Sequence, residues 1–296
     1  MNNFDDLFVS KKEKEEKQTY RHYDKDEWVA RKRQERSDAF ALLDEATKAM
    51  MTDPEKFRDY MNVQGYFDRY SVSNAILIAH QKPDATHIAD FATWKENDVS
   101  VNKGEKAFTI LEPGNEFTRE DGSTGFSVNV KKVFDISQTS EAENATPRKL
   151  PEDRKIIEAL IAVSPCDIRV TDELPDEVDA HYVKDEDIIY IRQGMDGDRI
   201  FLNLTQEIAV AKVGRDTPHS AFIGYCVSYQ LCERYGFNTE NYSFDGVEKY
   251  FENKEPKAFR SELDLIREVA NDISQDVNRQ IEVKEKSNRS RDDEAR

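Results

Sequence analysis

Apolar residues in the first eighty positions recur every three or four residues, which is the period of a helix. This spacing predicts helices over about 24–51, 54–64 and 71–82. Asp53 followed by Pro54 is a typical helix start, and Ser71 can cap the third helix. A short helix is predicted over 91–96. The chain should therefore begin with a layer of helices.

After position 100 the pattern changes to alternation of apolar and polar residues. Strands are predicted over 108–111, 126–130 and 133–136, with Pro113 and Gly114 closing the first of them. The turn at 120–123 has a hairpin composition. Residues 18–139 should thus form a domain in which helices pack on a small antiparallel sheet, preceded by a charged, disordered tail over 1–17.

Residues 140–150 have Leu150 as their one large apolar residue and are predicted to be a linker. A second, mostly helical α+β domain is predicted over 151–283. Its helices are expected at 151–163, 203–213, 218–235 and 255–285, and its strands at 168–170, 181–183 and 188–191. Residues 284–296 are polar and predicted to be a disordered tail. The predicted fold class is α+β for both domains.

Charge is distributed unevenly along the 296 residues, which contain 43 basic and 60 acidic side chains. Residues 150–282 have 15 basic and 28 acidic side chains, so their general surface should repel phosphates. Residues 54–139, with 10 and 13, can still bind nucleic acid through a local basic patch. No apolar run is long enough to span a bilayer, and three cysteines without a secretory signal indicate a cytoplasmic protein that does not contact membranes.

Short catalytic motifs are absent from the sequence. No two of its five histidines lie four residues apart, and there is neither a phosphate-binding glycine loop nor a nucleophile elbow. Cys226 and Cys232 stand among apolar residues, which is typical of core thiols. We therefore expect no metal and no other cofactor.

The segment 70–106 combines side chains that suit single-stranded nucleic acid. Aromatic faces can stack on bases, amides can read base edges and lysines can bind phosphates. The turn around Gly104 could also present backbone N–H groups to a sugar–phosphate chain, and Lys131 with Lys132 could extend the surface. The alternative is that Tyr70 and Trp94 are core aromatics and the lysines solvate a turn. Composition alone favours this alternative.

The order and spacing of several motifs in this region carry a family resemblance. They are Tyr70-Ser71 with Asn74, Gln81-Lys82-Pro83, Trp94-Lys95, Lys103-Gly104-Glu105-Lys106 and Val133-Phe134-Asp135-Ile136-Ser137-Gln138-Thr139. Over about 54–139 the chain resembles the N-terminal domain of ArdC-type antirestriction proteins of conjugative plasmids, integrative elements and phages. The resemblance implies a domain that binds single-stranded DNA. The implied DNA-binding residues are Tyr70, Ser71, Asn74, Gln81, Trp94, Lys103, Gly104 and Lys106, to which we add Lys131.

Members of this family often carry a second, zincin-like metallopeptidase domain with an H-E-x-x-H helix. The similar stretch here is 204–211, with Gln206 and Val210 at the histidine positions and Glu207 retained; the third ligand should fall near Ile223. Glutamine is a poor zinc ligand, and valine and isoleucine are none. The resemblance therefore implies a pseudo-peptidase that keeps the fold without metal or catalysis.

The resemblance implies a single-stranded-DNA-binding accessory protein of a bacterial mobile element or phage, which protects or handles DNA during transfer. A host or element protein could bind its acidic second domain. Two other hypotheses stay open. One is an acidic interaction factor or DNA mimic that blocks a nuclease, and the other is an active metallopeptidase, against which the missing ligands weigh.

Overall fold

The computed structural model describes residues 25–119, 121–146 and 148–294, and for 288–294 the course of the helix alone. The tail predicted over 1–17 lies outside these ranges. The helices are α1 (Lys25–Thr52), α2 (Pro54–Tyr66), α3 (Val72–Gln81), α4 (Phe91–Glu96), α5 (Asp153–Ala162), α6 (Gly197–Val213), α7 (Ser220–Tyr235), α8 (Val247–Tyr250) and α9 (Pro256–Glu294). The strands are β1 (Ile88–Ala89), β2 (Phe108–Thr118), β3 (Thr124–Asp135), β4 (Asp167–Thr171), β5 (Ala180–Val183) and β6 (Ile188–Arg192). None of the helices in these ranges is long and apolar enough to cross a membrane.

Two helices in the first half begin at the capping residues that the sequence predicts. The Asp53 carboxylate accepts hydrogen bonds from the backbone N–H groups of Glu55 and Lys56, with Pro54 at the first helical position. The Ser71 hydroxyl accepts the N–H of Asn74 at the start of α3. These caps satisfy N–H groups that have no partner within the helix, so both predicted starts are confirmed.

The first sheet is antiparallel, with the strand order β1-β3-β2. Its hairpin is longer than the alternation predicts: β2 passes through Pro113 and Gly114 to Thr118, and β3 is one continuous strand. The pairing shifts register between Pro113 and Glu116. A bulge at that shift absorbs extra residues and lets the strands pair again beyond it. Proline is tolerated there because β2 is an edge strand.

The second sheet has the order β4-β6-β5, in which β4 is parallel and β5 antiparallel to β6. Helix α6 begins six residues before the predicted position 203, because the Asp196 carboxylate accepts the N–H of Arg199 and caps an earlier turn. Helix α9 also exceeds its prediction. Residues 284–294, predicted as a disordered tail, continue as a helix, with Lys284 3.4 Å from Glu158 of α5. Lysine, glutamate and arginine are good helix formers, which favours this extension.

Helices of the two halves share one continuous hydrophobic core. The fully buried ring of Phe57 on α2 lies 5.0 Å from the ring of Phe244 and 6.2 Å from that of Phe222 on α7. Phe251 and Phe259 complete the cluster at 5.9 and 6.5 Å. The fold class is α+β, as predicted. The segment 140–150 therefore connects two parts that pack on each other, and not two separate cores.

Candidate nucleic-acid interface

Asn74 and Gln81 of α3 bind the free edge of strand β2. The Asn74 amide donates to the Leu111 carbonyl oxygen at 2.7 Å and accepts the Leu111 N–H at 2.8 Å. The Gln81 amide makes the same pair of bonds with Thr109, each at 2.9 Å. Side chains seven residues apart share a helix face, and alternate strand residues present their backbone groups to the same edge. Both amides thus act as a further strand would, and the bonds to β2 give them a structural role instead of the predicted DNA contact.

Trp94 is a core residue and not an exposed stacking platform. Its side chain is 5% exposed, and its indole N–H donates to the Phe134 carbonyl oxygen at 3.1 Å. The ring centroid lies 5.2 Å from that of His87. A base could stack on this indole only if the side chain left the core, so the geometry speaks against the predicted contact. Ser71, also predicted to bind DNA, caps α3.

The turn from Lys103 to Lys106 is exposed, as its predicted role requires. Gly104 has φ of 95°, a left-handed conformation that glycine adopts without strain, and a side chain at this position would meet open space. The Gln138 amide donates to the Lys106 carbonyl oxygen at 3.0 Å and anchors the turn. The ammonium groups of Lys103 and Lys106 form no ion pair with any described residue.

Lys131, predicted to bind DNA, already forms ion pairs within the protein. Its ammonium group lies 2.8 Å from the Asp90 carboxylate and 3.5 Å from that of Glu112. The hydrogen bond from Lys131 lowers the pKa of Asp90 to about 2, and the same bond raises the pKa of Lys131. Its charge is therefore largely compensated within the protein.

The turn between α2 and α3 carries a set of partly exposed aromatic rings. Of these rings, Tyr70 was predicted to bind DNA. The ring of Phe67 lies 5.2 Å from that of Tyr66 and 5.6 Å from that of Tyr70, both edge to face. The Arg148 guanidinium sits 4.2 Å above the Tyr66 ring. We call this set the turn cluster; its members are Tyr66, Phe67, Arg69, Tyr70, Arg148 and Arg267.

Arginines bind the backbone carbonyl groups of the turn. Arg148 donates to the Tyr66 oxygen at 2.6 Å, and Arg267 donates to the Tyr70 oxygen at 2.9 Å. Behind them lies Arg234, whose pKa is lowered by burial. Arg69 is exposed and has no hydrogen bond or ion pair within the described ranges. The cluster therefore combines partly exposed rings with several cationic groups.

Of the predicted DNA-binding residues, Tyr70 is the one that belongs to the turn cluster. The sequence does show three aromatic residues close together, in the run Tyr66-Phe67-Asp68-Arg69-Tyr70. Arg148 and Arg267 lie 82 and 197 residues from the carbonyl groups that they bind, so no local pattern could have placed them there. Among the described residues, no hydrogen bond, ion pair or ring contact joins the cluster to Lys103, Gly104 or Lys106.

Glu207 on α6, which we predicted to correspond to the glutamate of the peptidase motif, forms hydrogen bonds within the protein itself. Its carboxylate accepts the backbone N–H of Tyr182 on edge strand β5 at 2.7 Å and lies 3.5 Å from the Arg215 guanidinium. Arg215 is in turn 3.0 Å from Nδ1 of His181. These contacts assign Glu207 to the attachment of α6 to the second sheet.

Two of the positions predicted to correspond to metal ligands, Gln206 and Val210, pack directly against helix α7, which carries the third position, Ile223. At Gly224 a Cβ atom would lie 2.8 Å from both the Gln206 carbonyl oxygen and the Val210 methyl carbon Cγ2. Ile223 is buried beside them. Within the described ranges, no three histidine, cysteine, aspartate or glutamate side chains lie close enough to share a metal ion. Neither the space nor the donor atoms at these positions fit the metal of a zincin.

Two solved structures share this architecture, which places the chain among proteins with the fold of antirestriction factors. The metal-free crystal structure of the antirestriction protein ArdC from plasmid R388 matches with a TM-score of 0.57 and 15% identity, over 80% of this chain and 98% of that one. The Mn(II)-bound structure of the same protein matches with a TM-score of 0.54 and 16% identity, over 81% and 97%. At these identities the likeness is one of fold.

The sequence comparison finds a family model that matches part of the chain. Residues 43–157 match the family model of the N-terminal domain of anti-restriction factor ArdC. The predicted resemblance is thereby confirmed. An uncharacterized protein of Bacillus anthracis is 32% identical over 139 residues, which are 38% of this chain and 23% of that protein. The chain thus spans about a quarter of the length of this curated relative.

Proposed function

We propose that this chain binds single-stranded DNA through the turn cluster and acts as an antirestriction accessory protein of a mobile element in the bacterial cytoplasm. The observation that carries the proposal is the arrangement of three aromatic rings flanked by Arg69, Arg148 and Arg267. Unpaired bases stack on aromatic rings, and arginines bind phosphates. The match of residues 43–157 to the family model of the ArdC N-terminal domain supports the same function.

The chemistry of the cluster favours single strands and little sequence preference. Stacking requires a base face that is open, and every base has one, so the rings discriminate against duplex more than between bases. The acidic surface of residues 150–282 should repel phosphates elsewhere. DNA should therefore bind to the first half and to the arginines that the second half contributes to the turn.

For the second half we propose a catalytically inactive, peptidase-like role as a support and protein-binding surface. The side chains at the predicted ligand positions, Gln206, Val210 and Ile223, support this over an active metallopeptidase. The excess of acidic residues keeps the DNA-mimic hypothesis as a second candidate. Ion pairs that interleave the acids with bases, such as Arg199–Asp179 at 2.7 Å and Lys212–Asp272 at 2.5 Å, interrupt any continuous acidic stripe and weigh against it.

Replacing Tyr66 with alanine should weaken binding of a labelled single-stranded oligonucleotide by about 1–3 kcal/mol, because one stacking platform is lost. Fluorescence anisotropy measures the affinity. Tyr66→Phe is the matched control and should bind nearly as well as the wild type, since it keeps the ring. Equal affinities of Tyr66→Ala and the wild type, with both proteins folded, would remove Tyr66 from the site.

Replacing Arg69 with alanine should reduce the salt dependence of binding. For single strands each phosphate contact contributes about 0.7 to the slope of log K against log salt concentration, so the slope should fall by about 0.7. Lys103→Ala, which removes an exposed cation from the other candidate surface, serves as the comparison. A slope that changes with Lys103→Ala and not with Arg69→Ala would move the DNA site to the Lys103–Lys106 turn.

A further inference from the structure

A cavity of about 330 Å³ opens beside Gln206 of α6. Gln206 is the residue predicted to stand at the first histidine position of the peptidase motif. Four aromatic side chains line it: Phe222 and Tyr225 from α7, and Phe244 and Tyr250 from the segment that follows α7. Tyr250 stacks on Phe222, with ring centroids 4.1 Å apart and an angle of 18° between the planes. The DNA proposal does not use this cavity.

Asp245 is the one charged side chain among the residues that line the cavity. It is exposed, and its carboxylate forms no hydrogen bond or ion pair with any described residue. Gln206 and Ser243 supply the remaining polar groups of the lining. Aromatic walls with one free carboxylate favour a cation, because a cation can form cation–π contacts with the rings and an ion pair with the carboxylate.

The same aromatic cluster already binds one guanidinium of the chain itself. Arg58 lies 5.6 Å from the Phe244 ring centroid and 6.0 Å from that of Tyr229, and it donates to the Tyr242 carbonyl oxygen at 2.6 Å. A planar guanidinium can stack on a ring and still donate hydrogen bonds in its plane. The cavity offers a second guanidinium the same two kinds of contact, with the Asp245 carboxylate as acceptor.

We propose that this cavity binds an arginine side chain of a partner protein. The acidic character of residues 150–282 supports a basic partner, because it attracts such a protein and repels a nucleic acid. The cavity borders Gln206 but not Val210 or Ile223, so it is separate from the packed positions that correspond to the metal ligands of the peptidase motif. This proposal does not depend on the turn cluster.

Isothermal titration of the full chain with the peptide Ac-GSRSG-NH2 tests the proposal. The same peptide with citrulline in place of arginine is nearly equal in shape and uncharged, and it should bind about tenfold more weakly or worse. Asp245→Asn should also lower the affinity for the arginine peptide by about tenfold. Tyr250→Ala should weaken it by about 3- to 30-fold, and because Tyr250 is exposed its loss should leave the fold intact.

Glu173→Gln is the matched control, since it removes an exposed acid of the same half that does not line the cavity. Its affinity for the arginine peptide should equal that of the wild type. No heat of binding at about 5 mM peptide would overturn the proposal. So would equal binding of the citrulline peptide, or equal losses with Glu173→Gln and Asp245→Asn, because general charge attraction would then account for the result.

Discussion

Trp94→Ala should lower the free energy of unfolding by about 3–5 kcal/mol, the usual cost of deleting a buried large aromatic side chain. The indole is 5% exposed, and its N–H is bound to the Phe134 carbonyl oxygen. The substitution leaves a cavity between α4 and β3 and one backbone acceptor without its partner. Urea denaturation followed by circular dichroism measures the loss.

The same variant separates a structural role of Trp94 from a DNA contact. Under conditions in which it is still folded, its affinity for a single-stranded oligonucleotide should equal that of the wild type. Trp94→Phe retains most of the buried volume and should lose less stability than Trp94→Ala. An alanine variant with undiminished stability and a large loss of affinity would show that Trp94 leaves the core to stack on a base.

Asn74→Ala should cost about 2–4 kcal/mol of stability, because it removes two hydrogen bonds and leaves both backbone groups of Leu111 without partners at a poorly solvated edge. Gln81→Ala should act in the same direction through Thr109. Thermal and urea unfolding of the single variants measure the two losses.

Asn97→Ala is the matched control for these amides. Its side chain is exposed and donates to the Thr93 carbonyl oxygen of α4, the helix that ends just before it, so its loss should change stability by less than about 0.5 kcal/mol. If Asn74→Ala is as stable as Asn97→Ala and instead binds DNA poorly, the amide reads bases as the sequence suggested and the clamp on β2 contributes little.

Local signals in the sequence were sufficient for the fold class and for several helix starts. Asp53, Pro54 and Ser71 cap their helices as predicted, because these interactions depend on neighbours within three residues. The extension of β2 past Pro113 was not predictable in this way. It depends on the pairing with β3, which continues across the irregularity between Pro113 and Glu116.

The candidate site was harder to predict because its residue types serve two purposes. An amide such as that of Asn74 can bind a base or a strand edge, and only the position of β2 decides between them. Arg148 and Arg267 reach the turn cluster through packing of the second half against α2 and α3. Tertiary structure of this kind leaves no periodic signal in the sequence.

Fluorescence anisotropy of the wild-type chain with a labelled single-stranded oligonucleotide, at two salt concentrations and with unlabelled duplex as competitor, tests the central claim most directly. We expect binding to weaken with salt, and the slope of log K against log salt concentration should be at most about 2 in magnitude for three arginine contacts. Unlabelled duplex should displace the labelled single strand poorly. Absence of binding at low salt, or equal competition by duplex, would contradict it. The acidic second half would then become the better guide to what this protein binds.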